Sequence, residues 1–329
     1  MLRNLSNVER LAIETRHNGI VNDAKVNLYG NRLATCSSDA SVRVFDLDVN
    51  GRCTKTTHLH GHTAPVWQVS WACFPSSENH LASCGDDGRL IVWREKDGKM
   101  QKFHETSVKD AKCTSVCWAP RECGLTLASG LSDGNILILV FDGTRWVESY
   151  IRGAHQRGTH LPVSWAPVRL SVQPPGHPQP PFVHLASGGR DGVVRIWTML
   201  RPSEWNDGVR LSGHDEEVLD VAWAQTLVGG PMTVASIGMD GKLIIWRCAD
   251  ANQGPWSSRI LHSFQDIPNH VTWSPAGNVL IASIGCNKFA GWTVGTDPDD
   301  WTQVLREDDE RTEEGATGNE ENAAVESCA

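Results

Sequence analysis

Residues 130–134 read Gly-Leu-Ser-Asp-Gly, which matches the G-x-S-x-G pattern that presents the nucleophilic serine of many hydrolases. In those enzymes the serine stands on a sharp turn between a strand and a helix. Here the apolar run at residues 135–141 (NILILVF) follows, and it is typical of a strand. We therefore predict that Ser132 lies in a turn between two strands, and we identify no catalytic residue.

Three histidines alternate in the stretch HLHGH at residues 58–62, and on a strand they would share one face and could hold a metal. However, Gly61-His62 stands nine residues before Trp71, and another Gly-His pair, which ends at His214, stands nine residues before Trp223. This recurrence favours a structural role for the histidines. The ten cysteines contain no C-x-x-C pair, so we predict no metal and no cofactor.

The tryptophans show that these patterns belong to an internal repeat. The chain has fourteen tryptophans and two tyrosines. Five of the tryptophans stand in similar phrases, such as SWACFP and SWAPVR, 47 to 58 residues apart: Trp71, Trp118, Trp165, Trp223 and Trp273. A second phrase, such as GDDGRLIVW, occurs six times and ends at Phe45, Trp93, Leu139, Trp197, Trp246 and Trp292.

A period in the forties with alternating apolar residues and Asp-Gly turns is the signature of a β-propeller blade. We therefore predict an all-β fold, a six-bladed WD-repeat β-propeller. The turn aspartates recur once in each of the first five repeats, which predicts local structural roles rather than an acid pair: Asp39, Asp87, Asp133, Asp191 and Asp240.

The chain divides into three regions: an N-terminal segment (1–16), the propeller (17–305) and an acidic tail (306–329). A proline-rich stretch at 168–182 interrupts the fourth repeat and is predicted to be a surface loop, because proline cannot donate to a strand ladder. Residues 307–329 hold nine acids and one arginine, a net charge of −8, which predicts a disordered, solvating tail.

The rest of the chain carries only −1 of the total charge of −9 and contains no basic run, so no direct nucleic-acid binding is expected. The N-terminus lacks the apolar core of a secretory signal, and no apolar run approaches a membrane-spanning length. We therefore expect a cytosolic or nuclear-facing protein.

Several phrases, in order, resemble the small WD-repeat propeller of the COPII outer coat, which is also a subunit of the Y-shaped nuclear pore complex. They are HNGIVNDA at 17–24, PVWQVSWA at 65–72, QGPW at 253–256 and SPAGNVL at 274–280. The resemblance covers residues from about 15 to 303. The chain departs from the pattern at Phe45, Lys109, Leu139 and Cys286, which weakens the expectation that every blade has the same internal network.

The resemblance implies a structural network within blades, in which a histidine bonds the turn aspartate. One such network is expected to contain His62, Ser83, Asp87 and Trp93. A second is expected to contain His214, Ser236, Asp240 and Trp246. Asp191 and Trp197 are assigned to the same kind of network in the fourth repeat.

The resemblance also implies an open ring that is completed when a partner inserts a blade. The expected partners are the COPII rod-forming subunit and a nuclear pore scaffold nucleoporin, and a nutrient-sensing complex is compatible. We predict that the two borders of the gap are formed by an orphan strand within residues 8–14 and by the sixth repeat. The predicted partner-binding residues are Val8, Leu11, Ile13, Leu280, Ala282 and Ile284. Strand addition at such edges would form a permanent joint.

The function implied is that of a non-catalytic scaffold in ER-to-Golgi transport and in the outer ring of the nuclear pore. The expected location is the cytoplasmic face of the ER and COPII vesicle membranes and the nuclear envelope, with membrane association only through the coat. Three alternatives remain: a closed WD-repeat adaptor that binds a peptide motif, the sister open propeller of the nuclear pore, and an enzyme with polar, non-repeating residues in its central channel.

Overall fold

The structure is a computed structural model, and it describes residues 12–73, 79–168, 183–201, 204–225, 231–249, 254–285, 288–295 and 300–305. The regular structure of this part is β-strand, apart from a 3₁₀ helix at Arg121–Cys123. No helix among these residues is long and apolar enough to cross a membrane. The acidic tail, residues 1–11 and most of the proline-rich stretch lie outside the described residues.

The strands form six four-stranded sheets in chain order. The first three sheets are β1 (Val21–Val26), β2 (Arg32–Ser37), β3 (Val42–Leu47) and β4 (Cys53–Leu59); β5 (Val66–Trp71), β6 (His80–Gly85), β7 (Arg89–Lys96) and β8 (Lys99–Ser107); and β9 (Cys113–Trp118), β10 (Thr126–Leu131), β11 (Ile136–Phe141) and β12 (Trp146–Ile151).

The last three sheets repeat this arrangement. They are β13 (Val163–Trp165), β14 (Val183–Gly188), β15 (Val193–Arg201) and β16 (Glu204–Ser212); β17 (Val218–Trp223), β18 (Met232–Gly238), β19 (Lys242–Cys248) and β20 (Ser257–Ser263); and β21 (Pro268–Trp273), β22 (Val279–Ile284), β23 (Lys288–Val294) and β24 (Trp301–Leu305).

Within each sheet every strand pairs antiparallel with its sequence neighbour. The first strands of successive sheets pack side by side, from β1 against β5 through to β17 against β21. The fold is therefore the predicted six-bladed β-propeller, with the first strand of each blade innermost.

The second to fifth blades turn tightly at the repeated Asp-Gly phrase, and in the second blade glycine is sterically required. Gly88, between β6 and β7, has a φ of +69°, and a Cβ atom at this position would lie 2.6 Å from the Val108 carbonyl oxygen. Only glycine adopts this conformation without strain. The recurring Asp-Gly turns thus fix the hairpins between the second and third strands of the blades.

Ser132 lies in one of these turns, as the repeat predicts. It follows β10, and β11 begins four residues later, so no helix follows the G-x-S-x-G pattern. Its Oγ accepts a hydrogen bond from the Lys112 backbone N–H at 2.9 Å. The side chain thus joins two loops, in a setting without the geometry of a hydrolase elbow.

Five apolar clusters hold the blades together, and each spans two consecutive blades. For example, one cluster joins Val44 of the first blade to Trp71 and Leu81 of the second, and another joins Leu243 of the fifth to Leu280 of the sixth. The clusters cover the joints from the first-to-second to the fifth-to-sixth. Among the described residues, none spans the sixth and first blades.

Candidate partner-binding seam between the sixth and first blades

The structure brings together the four residues of the first predicted network. His62 Nδ1 lies 3.1 Å from the Asp87 carboxylate, and His62 Nε2 lies 2.9 Å from Ser83 Oγ. The Trp93 indole N–H donates to the same Ser83 oxygen at 2.9 Å. A neutral imidazole with its proton on Nδ1 satisfies every one of these groups, since it donates to the aspartate and accepts from the serine.

The second predicted network has the same geometry in the fifth blade. His214 lies 3.0 Å from Asp240 and 2.8 Å from Ser236, and the Trp246 indole donates to Ser236 at 2.8 Å. Because His62 and His214 each stand between the last strand of one blade and the first strand of the next, these bonds tie consecutive blades together.

In the fourth blade, Asp191 and Trp197 join two residues that the sequence analysis missed. His155 lies 2.9 Å from Asp191 and 2.8 Å from Ser187, whose Oγ also accepts from the Trp197 indole at 2.9 Å. His155 stands ten residues before Trp165 and follows alanine, not glycine. The sequence signal is present in altered form, because the spacing is one residue longer and alanine replaces the glycine.

The first and third blades depart from this pattern. In the first, His17 lies 3.0 Å from Asp39 and 2.8 Å from Thr35, and Phe45 replaces the tryptophan. In the third, Asp133 is bound by the side chain of Asn135 instead of a histidine. The sixth repeat has Cys286 at the turn, which lies outside the described residues.

Burial and hydrogen bonding shift the pKa values of several residues in these networks. Burial alone would raise the pKa of Asp87, but hydrogen bonds from the His62 ring and the Thr63 N–H outweigh it and lower the pKa to about 2. Burial alone would also raise the pKa of Asp191, but the hydrogen bonds and charges of His155 and Arg195 outweigh it and lower this pKa to about 2. Burial lowers the pKa of His155 and His214 more than their aspartates raise it.

A serine, a histidine and an aspartate in hydrogen-bond contact also define a catalytic triad. Here the serines are inaccessible, since Ser83, Ser187 and Ser236 are each 0% exposed. Each serine oxygen is also held by an indole N–H, as described above. These groups can link strands but cannot reach a substrate.

The HLHGH stretch does not assemble a metal site. His62 is turned to Asp87 and Ser83, while the His58 and His60 rings stack on each other with centroids 6.3 Å apart. No group of three or more metal-ligating side chains is present in the described part of the chain.

A ladder of tryptophans, one at the end of the first strand in each of the second to sixth blades, lies against the preceding blade. The indole N–H groups donate to backbone carbonyls of the preceding innermost strand at 2.9–3.0 Å: Trp71 to Lys25, Trp118 to Ser70, Trp165 to Cys117 and Trp273 to Ala222. Trp223 occupies the corresponding place in the fifth blade, although its indole nitrogen has no hydrogen-bond partner.

The ladder stops at the first blade, where the corresponding residue is Val26. Val26 pairs with Leu33 as Trp71 pairs with Leu81, yet its side chain is 54% exposed. The carbonyl that would accept an indole from the first blade belongs to Thr272, and no described tryptophan donates to it. We call this joint between the sixth and first blades the seam.

Apolar side chains stay exposed on both sides of the seam. Val26 on β1 and Phe289 on β23 are each 54% exposed, and Leu28 and Tyr29 in the turn after β1 are 58% and 56% exposed. Phe289 pairs with Ser283, one residue along the strand from the buried Ala282, so it lies on the face of the sixth sheet turned away from the fifth. The unpartnered surfaces are therefore faces of sheets.

One polar chain crosses the seam near the central channel. Lys25 Nζ on β1 contacts His270 Nε2 on β21, and the other ring nitrogen of His270 contacts the Asp220 carboxylate on β17. The Asp220 carboxylate also accepts the Val271 N–H at 2.9 Å. The two blades thus touch through side chains where the other joints have an apolar cluster.

The predicted residues of the sixth-blade border lie on the opposite side of their strand. Leu280, Ala282 and Ile284 are each 0% exposed and pack in the cluster shared with the fifth blade. They are not the exposed seam contacts that we predicted, because alternate residues of a strand point to opposite faces. The seam-facing residues of β22 are their neighbours, such as Ile281.

On the other border, Ile13 is half-buried and lies with residues 12–16 against the open face of the first blade, near Arg43 and Phe45. Residues 12–17 form no strand. Val8 and Leu11 lie outside the described residues.

Comparison with known proteins identifies the family. A family model described as "WD domain, G-beta repeat" matches residues 9–46, 51–94 and 170–198. The chain is 41% identical over 290 residues to "Protein SEC13 homolog" of Homo sapiens, which covers 87% of this chain and 89% of that protein. The chain belongs to the SEC13 family.

Other members of the SEC13 family match over similar lengths. "Protein SEC13 homolog" of Caenorhabditis briggsae is 36% identical over 305 residues, covering 92% of this chain and 96% of that protein. "Protein transport protein SEC13" of Cryptococcus neoformans is 34% identical over 311 residues, covering 86% and 93%. The similarity therefore extends over nearly the whole propeller.

Proposed function

We propose that this SEC13-family chain is a non-catalytic scaffold whose ring is open at the seam and is completed there by a sheet from a partner protein. One observation carries the proposal: among the described residues, the seam lacks both the apolar cluster and the tryptophan that occur together at each of the other five joints. Exposed apolar residues such as Val26 and Phe289 then mark an interaction surface.

The partner's sheet would stack face to face between the sixth and first blades. This refines the strand addition that the sequence suggested, because faces rather than edges are exposed. Residues 8–14 stand just before His17, as the strand β4 stands just before His62. By this analogy, a strand at residues 8–14 would complete the partner's sheet. An interface of this kind buries more than about 2,000 Å².

The names of the relatives support the coarser part of the biological setting, and the finer part is our proposal. Relatives named "Protein transport protein SEC13" support a role in protein transport. The partners proposed are the rod-forming subunit of the COPII coat, in ER-to-Golgi transport, and a scaffold nucleoporin of the nuclear pore outer ring. The chain would then lie on the cytoplasmic face of ER and vesicle membranes and at the nuclear envelope, held to membranes through its partners.

The test is purification of the tagged chain from its own cells at high salt, with identification of the retained proteins. Recovery of a rod-forming coat subunit and a scaffold nucleoporin is expected. The variant Phe289→Asp places a charge on the seam and should reduce retention by about tenfold or more, since an unpaired buried charge is costly. Ile260→Asp is the matched control, because Ile260 is also 54% exposed but lies on β20 of the fifth blade.

Equal retention by both variants, or loss with Ile260→Asp alone, would refute the seam as the binding site. If neither partner is retained and the chain is stable alone, the adaptor function becomes the better description. The surface to study would then be the end of the propeller that carries the turn aspartates, which we call the loop face, since Trp67 and Met239 are exposed there.

A further inference from the structure

A groove of about 720 Å³ lies on the first blade, beside the seam. Residues 12–16 line one side, and the β3–β4 hairpin lines the other with Arg43, Phe45, residues 51–56 and His58. Arg43 and Phe45 lie on the face of the first sheet that carries Val26, because both alternate with the residues packed against the second blade. We call this the cationic groove.

The charges around the groove are unbalanced. Arg16, Arg43, Arg52 and Lys55 face a single carboxylate, Glu14, which gives a formal charge of +3. Arg16 contacts Glu14 at 3.7 Å, and in the described part of the chain no carboxylate pairs with the other three cations. The groove therefore favours an anionic occupant.

Arg43 supplies a second, independent indication. Its side chain is 9% exposed, although cations are seldom buried without a partner. Its Nη1 donates to the Thr15 carbonyl at 2.8 Å, but its buried Nε has no hydrogen-bond partner. A buried donor without a partner beside a groove can bind an acceptor that enters the groove.

The chain itself carries a suitable acceptor. Residues 307–314 contain six acids and one arginine. They follow β24, which ends at Leu305, and the Leu305 side chain packs on Gly291, two residues from Phe289 on the seam-facing side of the sixth blade. Residues 307–314 begin two residues after Leu305 and end nine residues after it, so they can extend up to about 30 Å from the end of β24 towards the first blade.

We infer that residues 307–314 dock in the cationic groove of the same molecule. Residues 1–11 are a poorer occupant, because they carry two arginines and one glutamate and so share the sign of the groove. The consequence, which rests on the proposed function, is that the tail covers part of the seam and competes with the partner's sheet.

The test needs no partner and uses the full chain. Cys53 lines the groove and is exposed, while Cys73 is exposed elsewhere, so their alkylation rates compare both surfaces in one molecule. Iodoacetamide labelling is followed by peptide mass spectrometry at 0.05 M and 0.5 M salt. The tail-neutral variant combines Glu307→Gln, Asp308→Asn, Asp309→Asn, Glu310→Gln, Glu313→Gln and Glu314→Gln.

We expect Cys53 to react at least about fivefold faster in the tail-neutral variant and in high salt, because screening releases an ionic contact. Cys73 should not change. A control with Glu320→Gln, Glu321→Gln and Glu326→Gln should keep Cys53 slow. A carbodiimide that joins amines to carboxylates should link Lys55 to residues 307–314, and not the exposed Lys96.

Equal Cys53 rates in wild-type and tail-neutral chains would overturn the docking. Protection that increases with protein concentration would also overturn it, since the tail would then belong to a second copy. Failure of partner capture with a positive labelling result would refute the proposed function and leave the docking intact.

Discussion

At the scale of single residues, hydrogen bonds inside the blades determine the role of each polar side chain. The three complete networks place a histidine between an aspartate and a serine, and the serine accepts an indole N–H. Removing one member leaves several buried polar groups without partners, which is more costly than losing one exposed contact.

The first prediction concerns the network of the fifth blade. His214→Ala should lower the free energy of unfolding by about 2–3 kcal/mol, because Ser236 and Asp240 lose their shared partner. His58→Ala should change it by less than about 0.5 kcal/mol, since His58 is exposed. Urea unfolding measures both, and equal effects would contradict a structural role for the network.

The second prediction is a loss of stability in acid. Burial lowers the native pKa of His155 and His214 below the unfolded value of about 6.5, so the unfolded chain binds more protons as pH falls through this range. The free energy of unfolding should therefore decrease from pH 7 to pH 5.

A further decrease should follow in stronger acid, because Asp87 and Asp191 have a pKa of about 2 in the folded chain and about 3.9 when unfolded. Their stabilisation is present above about pH 3.9 and is lost as pH falls towards 2. Thermal unfolding at stepped pH tests both windows, and a constant midpoint from pH 7 to pH 5 would contradict the first.

At the scale of strands and blades, the tryptophan ladder explains how one blade holds the next. The indole both fills the apolar joint and donates to a carbonyl of the preceding innermost strand. Val26 does neither for the sixth blade, so within the described part of the chain the seam lacks this tryptophan as well as an apolar cluster.

The third prediction separates the two roles of the ladder. Trp118→Phe removes the bond to the Ser70 carbonyl, whereas Trp223→Phe removes an N–H that has no partner. Both lose similar packing, so Trp118→Phe should destabilise by about 1 kcal/mol more. Chemical unfolding of the two variants decides it, and equal losses would show that packing alone matters.

The sequence predicts the blades well because the same local pattern of residues occurs six times along the chain. Alternating apolar residues and Asp-Gly turns locate the strands, and the Gly-His pairs locate two networks. The sequence does not determine which face of β22 packs against the fifth blade and which faces the seam. Leu280 and Ile281 are both apolar and differ only in the direction of their side chains. The prediction also omits Arg43, whose burial depends on residues far from it along the chain.

At the scale of the whole molecule, the ring has five apolar joints and one seam. Under the proposed function, a further sheet enters the ring at the seam, where the described contact between the two blades is the Lys25–His270 pair and not an apolar cluster. A scaffold that is locked to its partner at this place would transmit force through the ring, which suits a coat or a pore.

The most direct measurement is hydroxyl-radical footprinting of the chain with and without its retained partner. A sheet inserted at the seam should strongly protect Val26 and Phe289 in the complex, with Ile260 unchanged as the internal reference. Protection of Trp67 and Met239 on the loop face, with the seam residues unchanged, would contradict the inserted sheet and establish a closed adaptor instead.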